Sequence, residues 1–210
     1  MSNYGIFTNK EKKTLVYYPC PKNGNSSVKL FLAKHLGIDN EFIFIGDTIP
    51  RYLQKDKDFG VKKNLVNFLP TKQKFSTVNS DIKCCIIRDP LERFVSCYNN
   101  RVKYHQDKEF FHHSVDMVIS KLEEKKIENL HFLPQSYFLG NDLKYYTFFC
   151  YLENVNIFKN KINKFFGKEI DFPKIQIGGS NNTFVLNDIQ IRRIKEIYTS
   201  DYLLLKTGIS

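Results

Sequence analysis

The chain has 210 residues, of which 42% are hydrophobic and 26% are charged. This balance excludes a disordered chain and fits one globular domain spanning residues 1–210 with a sizeable core. The formal net charge of +10 favours anionic partners such as nucleotides, acidic sugars, nucleic acid or a membrane surface. The lysines are scattered, however, so a role in solubility explains the charge equally well.

The beginning of the chain shows no secretory signal. Residues 1–13 are polar, and no apolar run approaches the roughly 20 residues that span a bilayer. The five cysteines include no C-x-x-C pair, so without an export signal we expect reduced, buried residues and no disulfide or zinc site. These observations predict a cytoplasmic protein.

The first recognisable unit is a strand, a polar loop and a helix. The segment Thr14–Tyr18 is apolar and predicts a buried parallel strand that ends at Pro19. Asn25 or Ser26 could cap the helix that follows, and Gly37 predicts its end. Loops of this form place backbone N–H groups against an anion.

The next stretch is harder to interpret. Residues 42–46 predict a short strand, and residues 51–74 predict a loop or short helices. The clearest strand pattern of the chain is at residues 82–87. Because a second strand of this type leads into another helix, the two units could form halves of one nucleotide site.

The helix after residue 87 has a strong start signal. Asp89 is a plausible N-cap, Pro90 suits the first helical position, and Glu92 could close a capping box. Apolar residues from Leu91 to Val102 then predict one buried stripe. The polar residues predicted to lie off that stripe are Glu92, Arg93, Ser96 and Asn100.

The second half of the chain continues the alternation. The pattern predicts helices near residues 115–122, 155–167 and 191–198, a strand at residues 145–152, and loops at residues 131–136 and 178–183. Strands that alternate with helices predict an α/β fold, with a central, mainly parallel sheet flanked by helices.

The loop from Pro21 to Ser27 differs from a Walker A loop, because Lys22 precedes Gly24 whereas the Walker lysine follows a glycine. Gly24 permits close approach of the backbone to an anion, and the serine hydroxyls can donate. Lys22 would place a point charge where negative charge develops. Taken alone, the loop could equally be a solvated turn.

Two segments together resemble the sulfotransferases that use 3'-phosphoadenosine 5'-phosphosulfate (PAPS), especially the carbohydrate sulfotransferase branch. Pro21 to Ser27 resembles their P-K-x-G-[ST]-[ST]-[ST] loop, and Arg88 to Tyr98 resembles their R-D-P-x-x-R-x-x-S-x-Y segment. His131 to Gln135 is similar to their H-x-x-P-Q segment, and Ile197 to Tyr202 resembles a terminal I-Y-x-x-D-[YF]. Asparagine at positions 23 and 25 departs from the usual loop.

The resemblance implies a P-loop-like sulfotransferase fold and a PAPS site. Lys22 and the backbone after it would hold the 5'-phosphosulfate, and Arg88 with Ser96 would hold the 3'-phosphate. An ion pair with Asp89 or Glu92 at the helix start is the alternative role for Arg88. The implied cofactor-binding residues are Lys22, Asn23, Gly24, Asn25, Ser26, Ser27, Arg88 and Ser96.

The implied reaction is in-line transfer of the sulfonate from PAPS to a hydroxyl or amine of a carbohydrate-type acceptor, with PAP as product and no metal. Lys22 would neutralise charge on the leaving oxygen. His131 is the preferred base because histidine titrates near neutrality, although a packing or surface role is equally open. Rival bases are Glu41, Asp47, His112 and His113.

Three further expectations concern partners. The positive charge would suit an acidic or sulfated sugar, although lipid-linked and small acceptors are equally open, and we do not expect nucleic acid as a partner. The acceptor pocket is predicted from residues 37–81 and 110–135, and residues 178–183 could close over the nucleotide. A P-loop-type small-molecule kinase and a non-catalytic polyanion-binding module are the alternative functions.

Overall fold

The computed structural model of the chain describes residues 3–37, 67–70, 79–173 and 184–208. These ranges contain a five-stranded sheet and seven α-helices. The strands are β1 (Asn3–Thr8), β2 (Thr14–Tyr18), β3 (Asn67–Pro70), β4 (Ile82–Ile87) and β5 (Phe148–Tyr151). The helices are α1 (Asn25–His35), α2 (Pro90–Tyr98), α3 (Val115–Glu123), α4 (Gln135–Leu139), α5 (Val155–Phe166), α6 (Asp188–Ile197) and α7 (Thr199–Lys206).

The sheet has the strand order β3-β1-β2-β4-β5. β4 pairs in parallel with both β2 and β5, whereas β1 pairs antiparallel with β2 and β3. Four strands therefore run in one direction and β1 runs against them, which confirms the prediction of a mainly parallel α/β sheet. Because β2 and β4 are adjacent and parallel, the loops that follow them meet at one edge of the sheet.

Helices cover both faces of the sheet, which explains the apolar strands. In β2, Leu15 and Tyr17 face the helices α1 and α5, while Val16 and Tyr18 face α4 and α7. Cysteines take similar positions in the core: Cys84 and Cys85 are neighbours in β4, and all five cysteines of the chain are buried and unpaired. Strands that are buried on both sides lose the alternation of polar and apolar residues.

A third apolar cluster positions the helix after β4. Phe94 and Tyr98 of α2 pack with Val118 of α3 and Ile194 of α6. The predicted stripe on α2 is therefore confirmed. Among the described residues, no helix combines the length and the apolar character that a bilayer crossing requires.

Two strands contradict the predictions for their segments. β1 lies within the polar first residues of the chain, and β3 lies within residues 51–74, which were expected to be a loop or short helices. Both strands form through long-range pairing, with Gly5 opposite Tyr17 on one side and Phe68 on the other. The strand predicted at residues 42–46 lies outside the described residues.

The N-termini of α1 and α2 differ from the prediction in two details. Gly24 is the N-cap of α1 and makes no side-chain capping bond, so Asn25 and Ser26 are the first helical residues, not caps. Asp89 caps α2 as predicted and accepts from the N–H groups of Leu91 at 2.9 Å and Glu92 at 3.1 Å. The Glu92 carboxylate extends toward Arg88 and does not complete a capping box.

Two element boundaries in the second half of the chain also differ from the prediction. The segment 131–136, predicted as a loop, contains the start of α4 at Gln135, and the strand predicted at residues 145–152 is confined to Phe148–Tyr151. The end of α5 at Gly167, which adopts φ 64°, is confirmed. Short segments of this kind lack enough periodicity to fix their ends.

Candidate functional site

The loop after β2 has an unusual backbone. Lys22 and Gly24 both have φ of 70°, in the left-handed region that favours glycine. A Cβ atom at Gly24 would lie 2.7 Å from Leu152 Cδ1, so a side chain there would displace the leucine. Glycine at position 24 therefore avoids backbone strain and permits close packing against the residue that follows β5.

Asn23 anchors this loop to the sheet. Its side chain is fully buried and donates from Nδ2 to the carbonyl of Ile86 at 2.8 Å and to Gln135 Oε1 at 2.7 Å. Asn23 is not among the residues that line the cleft beside the loop. The structure thus assigns its side chain to loop anchoring, whereas the sequence grouped it with the cofactor-binding residues.

Gln135 joins the two predicted halves of the site. Its Oε1 also accepts from the Arg88 N–H at 3.0 Å, and its Nε2 donates to the Arg88 carbonyl at 2.8 Å. The buried carboxylate of Asp201 accepts from the N–H groups of Gln135 and Ser136, each at 2.9 Å. The resemblance included Gln135 and Asp201, but it gave neither of them a role.

Arg93 also links separate loops around the site, a role that the sequence did not predict. Only 1% of it is exposed, although the sequence placed it on the polar side of α2. Its guanidinium donates to the carbonyl of Pro21 at 3.0 Å and to that of His131 at 3.1 Å. The prediction failed because a buried arginine needs fixed backbone acceptors, and those come from distant loops.

These connections form a cleft of about 1040 Å³ at the edge of the sheet. The structure brings together there most of the residues predicted for the site. The predicted site residues that line it are Lys22, Gly24, Asn25, Ser26, Ser27, Arg88, Ser96 and His131. The start of α1 therefore faces the same space as the side chains that follow β4.

The cleft is positively charged. Lys29 and Arg101 line it in addition to the predicted Lys22 and Arg88. Burial, together with the nearby guanidinium groups of Arg88, Arg101 and Arg93, lowers the pKa of Lys22 to about 8. A lysine in this environment gains from any anion that enters the cleft.

Arg88 forms the ion pair with Glu92 that the sequence offered as its alternative role, and it also lines the cleft. Its Nε lies 3.5 Å from Glu92 Oε2, and its Nη1 donates to the Lys22 carbonyl at 3.3 Å. The Nε atom is buried and makes no hydrogen bond within the part of the chain that the structure describes. Since more than half of the Glu92 side chain is exposed, the pair is weak and an anion could displace it.

His131 lines the cleft near these cations. Burial, with positive charge from Arg101 and Lys22, lowers its pKa to about 4, so the imidazole is neutral at neutral pH. This pKa differs from the titration near neutrality that the sequence led us to expect, because burial and the neighbouring cations disfavour the charged ring. Its Nδ1 lies 3.0 Å from Asn129 Oδ1.

The other candidate bases differ in whether the structure describes them and in whether they lie near the cleft. His112 is exposed and His113 is partly buried, and neither is among the residues that line the cleft. Glu41 and Asp47 lie outside the described residues. His105, which was not a candidate base from the sequence, does line the cleft.

A π-helix at Asn99–Tyr104 extends α2 along the cleft. It brings Asn99, Asn100 and Arg101 to the cleft wall, about one turn beyond Ser96. Single π turns are frequent at functional sites. Nothing in the local sequence distinguishes this π-helix from a continued α-helix, so these residues could not be found by pattern alone.

An apolar wall completes the cleft. It includes Leu130, Val185, Leu186 and Ile191. The loop predicted to close over a nucleotide, residues 178–183, precedes this wall but lies outside the described residues. Within the described ranges, no group of three or more His, Cys, Asp or Glu side chains is arranged to hold a metal ion.

A mainly parallel α/β sheet with a cationic cleft at two strand-to-helix loops is an arrangement typical of proteins that bind phosphorylated ligands. A family model described as the sulfotransferase family, of the family 2 type, matches residues 5–206. The chain therefore belongs to the sulfotransferase family, a class of transferases that move sulfonate groups. No curated protein and no solved structure gave a significant match.

Proposed function

We propose that the protein transfers the sulfonate group of PAPS to a hydroxyl or amine of a carbohydrate-type acceptor and releases PAP. The observation that carries the proposal is the shared cleft: the start of α1, Lys22, Arg88 and Ser96 all line it. A ligand with phosphate-like groups at both ends of a nucleoside matches two anion-binding loops on adjacent parallel strands.

The residues fit the two charged ends of PAPS. Lys22 carries a charge that is poorly solvated, which favours contact with the phosphosulfate. Arg88 lines the cleft with Ser96, and a phosphate oxygen there would replace the partly exposed Glu92 carboxylate as the acceptor for its guanidinium. The N-terminal turn of α1 adds the positive end of a helix dipole.

PAPS would supply an activated sulfonate with the 5'-phosphate of PAP as its leaving group. In the proposed reaction, His131 takes the proton of the acceptor hydroxyl as the new oxygen–sulfur bond forms. The bond between sulfur and the 5'-phosphate oxygen breaks in line with this attack, and Lys22 neutralises the charge on that oxygen. The positive charge comes from Lys22, so the proposal includes no metal.

The acceptor class follows from the size of the cleft and from one sequence segment. A volume of about 1040 Å³ lies at the upper end of ordinary ligand pockets, which leaves room for an acceptor beside a nucleotide. The likeness of the His131 segment to the carbohydrate branch favours a sugar. Location in the cytoplasm stays a prediction from the sequence.

Thermal unfolding with PAP, ADP and ATP with magnesium, at matched concentration and ionic strength, tests the nucleotide. A ligand at about 100 times its dissociation constant adds roughly 2.7 kcal/mol to the folded state. Stabilisation by PAP but not by ADP is expected, because only PAP carries the 3'-phosphate. Stabilisation by ATP with magnesium and not by PAP would favour the kinase.

Substitution of Arg88 separates the enzyme from a polyanion-binding module. Arg88→Met should abolish PAP binding, whereas it should weaken binding to a sulfated polymer only slightly. Arg192→Met, on the exposed side of α6, is the matched control for the loss of one charge. Polymer binding with a steep salt dependence and no PAP binding would favour the module. Release of PAP from PAPS in a screen of sugar acceptors then identifies the substrate.

A further inference from the structure

We propose that Asn129 and Asp107 are positioning residues that hold His131 with Nδ1 protonated and Nε2 as the proton acceptor. The proposal rests on the proposed function, in which His131 is the base. Neither residue belongs to the segments that resemble the family. Asp107 follows the π-helix, and Asn129 lies two residues before His131.

The hydrogen bonds of Asn129 fix the orientation of its amide. Its Nδ2 donates to Asp107 Oδ2 at 3.3 Å, and a carboxylate can only accept. Its Oδ1 accepts from the backbone N–H of His131 at 3.1 Å. Both contacts require the same orientation, with the oxygen toward His131 and the amino group toward Asp107.

This orientation decides the tautomer of the imidazole. Asn129 Oδ1 lies 3.0 Å from Nδ1 of His131, and an amide oxygen has no hydrogen to give. Nδ1 must therefore carry the hydrogen of the neutral ring. The lone pair of the ring is left on Nε2, which is the atom available to an acceptor hydroxyl.

Asp107 is itself held in place. Its Oδ2 accepts from Arg101 Nε at 2.6 Å, and both side chains are largely buried, with 19% and 24% exposed. Its backbone N–H donates to the Arg101 carbonyl at 3.0 Å. A charged pair that is also tied through its backbone gives Asn129 a rigid partner, so the orientation persists as the ring changes its charge.

The arrangement has a chemical consequence for the transfer step. When the acceptor oxygen bonds to sulfur, its proton passes to Nε2, and the sulfur–oxygen bond to the 5'-phosphate breaks with PAP leaving. The imidazolium then donates through Nδ1 to Asn129. Asp107 favours this charge, whereas burial and the positive charges of Arg101, Lys22 and Arg93 oppose it. Without Asn129 the ring could present a hydrogen to the acceptor, which is the wrong tautomer for a base.

Imidazole ¹⁵N NMR tests the tautomer without any turnover. In the native protein at neutral pH, His131 should give the pattern of a neutral ring with hydrogen on Nδ1, assigned by its loss in His131→Gln. Asn129→Ala should lose this preference, and the nearly isosteric Asp107→Asn should reduce it. A ring with hydrogen on Nε2 in the native protein, or the same Nδ1 pattern in Asn129→Ala, would overturn the proposal.

Kinetics give a second readout. Asn129→Ala should lower kcat by about tenfold or more, toward the value of His131→Gln, while KM for PAPS and stabilisation by PAP stay unchanged. Exposed Asn160→Ala should match the native enzyme. An unchanged kcat in Asn129→Ala would contradict the positioning role. Absence of PAP binding by the native protein would instead contradict the proposed function. The NMR experiment would still test the tautomer of His131, because it needs neither PAP nor turnover.

Discussion

The guanidinium of Arg93 donates to the backbone carbonyl of His131 at 3.1 Å and thereby joins the predicted base to α2. The same group donates to the carbonyl of Pro21 at 3.0 Å, at the start of the loop that contains Lys22. One buried side chain thus holds the two proposed catalytic residues in a fixed relation, although it does not itself line the cleft.

Arg93→Lys should therefore lose both stability and PAP binding. A lysine keeps the charge, but its compact ammonium cannot reach two carbonyls in the plane of a guanidinium. We expect a loss of about 2 kcal/mol, or roughly 4–8 °C in Tm, by thermal unfolding. Exposed Arg192→Lys is the control and should change little. Equal melting of the two variants would show that the Arg93 contacts are unimportant.

The affinity for PAP should fall as the pH rises above about 8. The pKa of Lys22 in the free protein is lowered to about 8, and an anion binds the charged form, so deprotonation above that pH weakens binding. The phosphates of PAP are already ionised there, since their second pKa is near 6. Calorimetric titration between about pH 7 and pH 9.5 measures the slope and the proton uptake.

Lys22→Arg is the matched variant for this test, because arginine stays charged throughout the same range. Its PAP affinity, where binding is retained, should be nearly independent of pH above 8. A native protein that binds PAP with the same affinity across the whole range would place the lysine charge outside the binding contacts.

Gly24→Ala should damage binding more than its loss of stability explains. The φ of 70° costs an alanine about 1 kcal/mol, and the new Cβ must also displace Leu152, another residue of the cleft wall. Gly167→Ala is the matched control, since φ is 64° and nothing lies within 4 Å of the added atom. Both variants should melt lower than the native protein, but only Gly24→Ala should weaken PAP binding. Similar affinities for PAP in the two variants would contradict this use of the loop.

Glu92→Gln should bind PAP more tightly than the native protein. The Glu92 carboxylate lies 3.5 Å from Arg88 Nε and lines the same cleft, so it competes with an incoming phosphate. Because the pair is partly exposed, we expect a gain of about two- to fivefold in affinity, measured by titration at low salt. Exposed Glu196→Gln controls for the general change in charge. Weaker binding in Glu92→Gln would mean that the carboxylate orients Arg88 for the ligand.

The order of strands and helices around the cleft could be predicted because its signals are local. The apolar run of β4, the cap at Asp89 and the stripe on α2 all depend on neighbouring residues. β1 and β3 could not be predicted in the same way. Their stability as strands comes from pairing partners far along the chain, which no local pattern contains.

The residues that line the cleft were also easier to predict than those that support it. Lys22, Arg88 and Ser96 belong to motifs whose chemistry can be predicted from the residue types alone. The buried roles of Asn23 and Arg93 depend on which carbonyl groups the fold brings near them. The local sequence around a polar residue does not show whether its side chain is buried and links two loops or faces solvent.

The five buried cysteine thiols can report whether the folded protein opens locally or unfolds as a whole. Cys84 and Cys85 of β4 are fully buried, and burial also raises the pKa of both thiols, so an alkylating reagent can reach them only when the sheet opens. Cys20, at the base of the Lys22 loop, is equally buried but lies at the edge of the sheet. Its labelling rate relative to the strand thiols distinguishes local opening of the loop from unfolding of the whole chain.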